Sequence, residues 1–206
     1  MSGVCVEAAK RESILCEASK VFGRLGFQKA SVDDIARRAG VAKGTIYLAA
    51  PSKKDLFYEV LLREVRTWNA TLQKRIDPRR PADQLLTELA LSSLSTMDDR
   101  PLVRDLLMGE HHEVVPDLKD RLDELRRIGI QPIVEVLEIG VDQGRFRADL
   151  DVDEVARILL DMHTATLMFV VGRDRDPLRL ARRSKAAFDL VLRGLTVSPP
   201  PPTRKH

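Results

Sequence analysis

Aromatic side chains make up only 4% of this 206-residue chain, and cysteine occurs twice, at Cys5 and Cys16. So few aromatic and β-branched runs argue against a β-sandwich, while abundant Ala, Leu, Arg, Asp and Glu favour helices. Two thiols cannot build a disulfide framework. Ten residues separate them, a spacing that fits no common metal site. They read as reduced thiols in a cytoplasmic protein. No long apolar run is present. The most apolar stretch, ILLDMHTATLMFVV, is broken by Asp161 and His163, and the first residues lack the apolar core of a secretory signal. Neither a membrane span nor a signal peptide is expected. Glycine-rich phosphate loops, strand-type alternation and internal repeats are also missing.

What remains is an apolar fraction of 44% and a charged fraction of 32%, enough for a helical core under a solvated surface. The net charge of +3 is unevenly spread. Residues 1–54 hold ten Lys and Arg against five Asp and Glu; residues 55–203 hold 22 against 26. A basic N-terminal quarter is either an electrostatic footprint for a polyanion or an ordinary solvated face.

Helical periodicity begins with Ile14, Leu15, Ala18, Val21, Phe22 and Leu25 over residues 8–25, and Gly26 is expected to stop that helix in a left-handed conformation. Ser31, with Asp33 and Asp34 after it, reads as the N-cap of a short helix closed by Gly40. A second short helix starts near Ala42 or Lys43 and ends before Pro51. Two short helices about a glycine turn form a helix-turn-helix pattern, whose second helix enters a DNA major groove. Lys43, Thr45 and Tyr47 are donors that reach phosphate oxygens, and Lys43 also reaches a base edge. Gly44 lets backbone and DNA approach closely. Ile46 points inward.

The stretch GFQKASVDDIARRAGVAKGTIYLAAPSKKDLFYEVL resembles the DNA-binding domain of TetR-family transcriptional regulators, over about residues 11–61. The matching elements are Ser31-Val32, Asp34-Ile35-Ala36, Ala39-Gly40-Val41, Lys43-Gly44-Thr45-Ile46-Tyr47 and Pro51-Ser52-Lys53. The resemblance implies an all-α fold: a helix-turn-helix domain over 1–52, a helical ligand-binding and dimerisation domain over 53–195, and a Pro-rich tail over 196–206. It implies DNA contacts from Ser31, Lys43, Gly44, Thr45, Tyr47 and Lys53. Three departures stand out. Ala42 replaces the family's usual Ser cap, and Ala49 and Ala50 replace an aromatic or His that touches phosphate and a Phe that fills the core.

The rest reads as helices over 52–75, 82–97, 101–109, 117–143, 151–172 and 177–195. Pro132 cannot bond to the Ile128 carbonyl and should kink the helix over 117–143; the kink either opens a cavity or is without function. Trp68, Met97, Leu107, Met108, His111, Leu167 and Met168 are candidates for an apolar effector pocket, and equally for plain core. Ile158, Leu159, Met162, Phe169 and Val170 nearly encircle one late helix; Phe188, Leu190, Val191, Leu192 and Leu195 load the other. In the TetR family the last two helices form a four-helix bundle with a second copy, which places Leu159, Met162, Phe188 and Leu192 at a homodimer interface.

His111, His112 and His163 with Glu110 and Asp161 contain no HExxH spacing, and adjacent His111 and His112 point in different directions on a helix. No metal, cofactor or catalytic constellation is expected. The reading is a ligand-responsive DNA-binding regulator, a repressor released by a small apolar or amphipathic effector, acting as a homodimer on a palindromic duplex. The alternative is a helical ligand- or protein-binding dimer whose operator binding Ala49 and Ala50 have weakened or removed.

Overall fold

The computed structural model describes residues 2–96, 99–107, 115–173 and 177–196. Ten helices follow one another among them: α1 (Ser2–Lys29), α2 (Val32–Ala39), α3 (Lys43–Ala49), α4 (Lys53–Gln73), α5 (Ala82–Ser95), α6 (Pro101–Leu107), α7 (Val115–Gly129), α8 (Gln131–Asp142), α9 (Val152–Arg173) and α10 (Pro177–Leu195). The fold is all-α. One isolated bridge, Phe146 with Thr196, is the only extended pairing among the described residues.

Contacts sort the chain into two units. One holds the residues up to Asn69 together with Thr96–Gly129; the other holds Ala70–Ser95 and the residues from Ile130 onward. In the first unit α1, α2, α3 and the front of α4 close around Phe22, Phe27 and Phe57. Phe57 meets the other two edge-on, with ring centroids 5.1 and 5.3 Å apart. Leu56, Phe57, Val60 and Leu61 of α4 are fully buried in this cluster with Ile14, Ile35 and Ile46. This core therefore does not divide at residue 52. The second unit packs Leu85, Leu86, Ile130, Val136, Leu137, Phe146, Ala156 and Leu159. Its tightest point is Gly140 against Phe146, where a Cβ would stand 2.0 Å from the ring.

Two helix ends differ from the sequence expectation. Gly26 does interrupt α1 with the expected positive φ of 72°, but its ψ of 171° puts it in a region that essentially only glycine adopts and not in the αL cap, and a last helical turn follows it. Pro132 does not kink one long helix: it separates α7 from α8 and sits in the first turn of α8, the position its missing N–H suits. The carbonyl of Ile128, which a proline four residues on cannot serve, accepts instead from the side-chain amide of buried Asn69.

Candidate nucleic-acid interface

The interface is built by caps. The Ser31 hydroxyl oxygen accepts from the Asp33 amide at 3.2 Å and opens α2. Gly40 closes α2 with φ 66° and ψ 31°, a conformation that costs a side-chain-bearing residue 1–2 kcal/mol, roughly. Val41 N–H then bonds to the Ala36 carbonyl at 3.0 Å and turns the chain into α3. Ala42 occupies the N-cap of α3 and offers no side-chain bond.

On α3, Ile46 is 1% exposed and Ala50, just beyond it, is also 1% exposed. These positions fix the inner face. Lys43, Gly44, Tyr47 and Leu48 form the outer face as two i,i+4 pairs, and all four are exposed, with Tyr47 at 43%. Thr45 is half-buried between the two faces. The Ala50 position is thus closed by the aromatic cluster, while half-buried Ala49 has no polar group to send to a phosphate.

Lys43 does not hang free. Its ammonium donates to Asp33 at 2.8 Å, and this bond holds its pKa above the usual lysine value. Asp33 thereby joins the start of α2 to the start of α3. In the sequence Asp33 signals only a helix start; a carboxylate ten residues before a lysine carries no local pattern that would reveal the pair. Lys53 is half-buried, with its ammonium 4.5 Å from the Phe27 ring centroid and donating to the Gln28 carbonyl at 3.1 Å. Burial lowers its pKa.

Behind Lys53, Ser52 and Asp55 bond reciprocally: the Ser52 hydroxyl donates to the carboxylate at 2.7 Å, and the Asp55 amide donates back at 3.1 Å. Asp55 also holds Arg121 of α7 at 2.7 Å. Arg121 lies 4.8 Å over the Tyr58 ring, and the Tyr58 hydroxyl donates to Glu124. Burial, then the bond to Glu124, raises the Tyr58 pKa to about 12. The Ser52 bond, with Arg121 adding to it, lowers that of Asp55. The start of α4 is therefore pinned from α7, a tertiary contact that no sequence motif announced.

A family model described as bacterial regulatory proteins, tetR family, matches residues 14–60, which span these caps and this face. Over these residues the chain carries a TetR-family DNA-binding domain. A relative at 28% identity over 194 residues, covering 93% of each chain, is the HTH-type transcriptional repressor KstR2 of Mycolicibacterium smegmatis. Two solved structures share the fold. Salmonella enterica GusR matches with a TM-score of 0.67 at 22% identity, over 90% of this chain and 96% of that one. FadR of Bacillus subtilis in complex with stearoyl-CoA matches with a TM-score of 0.62 at 22% identity, over 89% and 98%.

The expected effector residues fare differently. Trp68 is half-buried and donates to Thr96 at 3.1 Å. Met97, Met108 and His111 lie outside the described residues, as do the side chains of Leu107, Leu167 and Met168. A groove of about 380 Å³ in the second unit is lined by Leu72, Arg75, Ile76, Leu85, Leu89 and Leu91 among others, none of them in the expected set. His163 is buried beside Ser93, 2.6 Å away. The Ser93 hydroxyl donates to the Ala90 carbonyl, so the His163 Nε2–H donates to Ser93.

Among the expected interface residues, Leu159 needs correction. It is 2% exposed and packs in the second unit's own core, so it has no surface to give to another copy. Met162 and Leu192 are half-buried, and the Phe188 side chain lies outside the described residues. Among the described residues, the large apolar ones exposed on α9 and α10 are Ile158 at 49%, Leu178 at 73% and Leu190 at 73%. The Pro-rich tail from residue 197 lies outside the described residues, and no described helix is long and apolar enough to cross a membrane.

Proposed function

We propose that this chain is a ligand-responsive transcriptional repressor that binds a palindromic DNA operator as a homodimer through α3. The observation that carries the reading is the outer face of α3: a lysine, a side-chain-free backbone position and a phenol, exposed together on a helix held by the α2 cap and turn. The repressor relative supports the sign of regulation. Lys43 and Tyr47 contact phosphates, Gly44 allows close approach, Ser31 and Lys53 add contacts beside them, and Thr45 contributes its hydroxyl at the edge. Residues 1–52 read DNA; residues 53–195 bind the effector and the second copy, although the packing units cut across that division.

Release is a population shift. A small apolar or amphipathic effector favours the state in which two recognition helices no longer match successive major grooves, about 34–36 Å apart. Effector and DNA then weaken each other by the same factor. A gel shift with DNA from upstream of the protein's own coding region tests the reading. Lys43 and Lys53 from two subunits neutralise four phosphates, so log affinity should fall against log salt with a slope of about −3.6 or steeper. A slope near zero would favour the second reading, a ligand- or protein-binding dimer without an operator. Ala49 and Ala50 are the residues that recommend it.

A further inference from the structure

Leu48 is the most exposed large apolar residue among those described, at 89%. Scattered surface leucines are ordinary. This one stands on the outer face of α3, immediately after Tyr47 and one turn beyond Gly44. Apart from its two chain neighbours and the backbone of α3 itself, nothing lies within 4 Å of the place where a Cβ on Gly44 would stand, so the face one turn before Leu48 is open to a partner. Lys43 and Tyr47 beside it offer a charge and a hydroxyl to phosphate. Leu48 offers neither, and a bare alkyl group gains nothing from a phosphate oxygen.

We propose that Leu48 is a specificity residue that reads thymine by contact with its C5-methyl group. This rests on the DNA-binding reading above. The argument is one of exclusion by chemistry. In the major groove the base edges present donors, acceptors and small C–H edges, and the thymine methyl is the one alkyl group among them. A side chain that can only bury apolar surface discriminates nothing else there. Leu48 also separates the two kinds of contact on α3: its polar neighbours set position and affinity, and it supplies base information.

The experiment uses the full-length chain and duplex DNA that it enriches from a randomised pool. Each thymine of the enriched duplex is replaced in turn by deoxyuridine, which removes the methyl and leaves every hydrogen-bonding group. At one position per half-site, wild-type affinity should fall about three- to fivefold, the worth of one buried methyl group. Leu48→Ala should bind the thymine and deoxyuridine duplexes equally at that position, and Leu48→Met should restore part of the difference. Thermal unfolding of Leu48→Ala should match wild type, because the side chain touches little of the protein. Enrichment without any deoxyuridine penalty, or a penalty that survives in Leu48→Ala, overturns the inference and leaves the DNA-binding reading intact. Failure to enrich any sequence overturns both.

Discussion

Tyr47 and Lys43 sit one turn apart on the exposed face of α3, and neither is part of a core. Tyr47→Ala and Lys43→Ala should therefore weaken DNA binding without lowering the unfolding temperature. A lost phosphate contact is worth about 1 kcal/mol, or roughly fivefold in affinity. For Tyr47 the loss should be similar on matched and mismatched duplexes, because phosphates carry no sequence; titrations by fluorescence anisotropy on both would show it. Asp33 makes the opposite prediction. Its carboxylate lies 2.8 Å from the Lys43 ammonium, where it competes with phosphate for that cation and repels the DNA backbone. Both partners are largely solvated, so the pair adds little to the fold. Asp33→Asn should tighten DNA binding about two- to fivefold at low salt, with the gain fading as the screening length shortens. Tighter binding that persists in high salt, or weaker binding at any salt, would mean that Asp33 acts by placing Lys43 and not by competing for it.

At the scale of elements, caps and periodicity made most of the first unit legible. Ser31, Gly40 and Pro51 each act through the backbone within a few residues, so the α2–turn–α3 arrangement can be read one residue at a time. The break between α7 and α8 was only half legible. Pro132 announced a disturbance, but whether a helix kinks or ends depends on what receives the stranded carbonyl. Here that is Asn69, 59 residues away in sequence. Long-range partners of this kind, like Arg121 on Asp55 or Phe146 against Gly140, leave no local pattern. Gly140→Ala should destabilise the chain by about 1–3 kcal/mol in urea unfolding, since its methyl would enter the Phe146 ring. His163 gives α5 and α9 a pH-sensitive contact. Burial lowers its pKa to about 4, below the ordinary histidine value of 6.5. An unfolded chain takes up a proton near pH 6.5 that the folded site refuses until about 4. The stability due to neutral His163 is therefore complete above pH 6.5 and is lost as pH falls toward 4, by up to about 3 kcal/mol. His163→Gln keeps a donor for Ser93 and removes the titration. Urea midpoints at pH 7 and 4.5 should differ less for it than for wild type; equal differences would sink the assignment.

At the scale of the whole molecule, α9 and α10 carry described apolar residues that the fold leaves uncovered. On α9, Ile158 is 49% exposed, with half-buried Met162 and exposed Ala165 following at i+4 and i+7 on one face. On α10, Leu190 is 73% exposed, and Ala186 and Ala187 lie one turn before it. Leu159 and Leu195 of the same helices are already spent on the second unit's core. The helices therefore have apolar surface beyond what one chain needs, and a two-fold operator needs a two-fold protein. A second copy on this surface should bury an obligate-type interface, on the order of 2,000 Å² in total. Exposed Arg157 and Arg182 belong at its rim, where their heads stay in water. Leu190→Glu is the decisive substitution. Most of the side chain faces solvent in the single chain, so the fold should tolerate it; in a dimer seam it becomes a desolvated, unpaired charge, which is strongly unfavourable. At matched micromolar concentration, wild type should sediment as a dimer and Leu190→Glu as a monomer with the same helical circular dichroism. The monomer should lose tight operator binding, and the salt slope for what remains should fall to about half, because only one subunit's lysines then displace counterions. A wild-type chain that sediments as a monomer would remove the dimer and the palindromic operator together. A Leu190→Glu chain that stays dimeric would instead move the seam away from this face of α10.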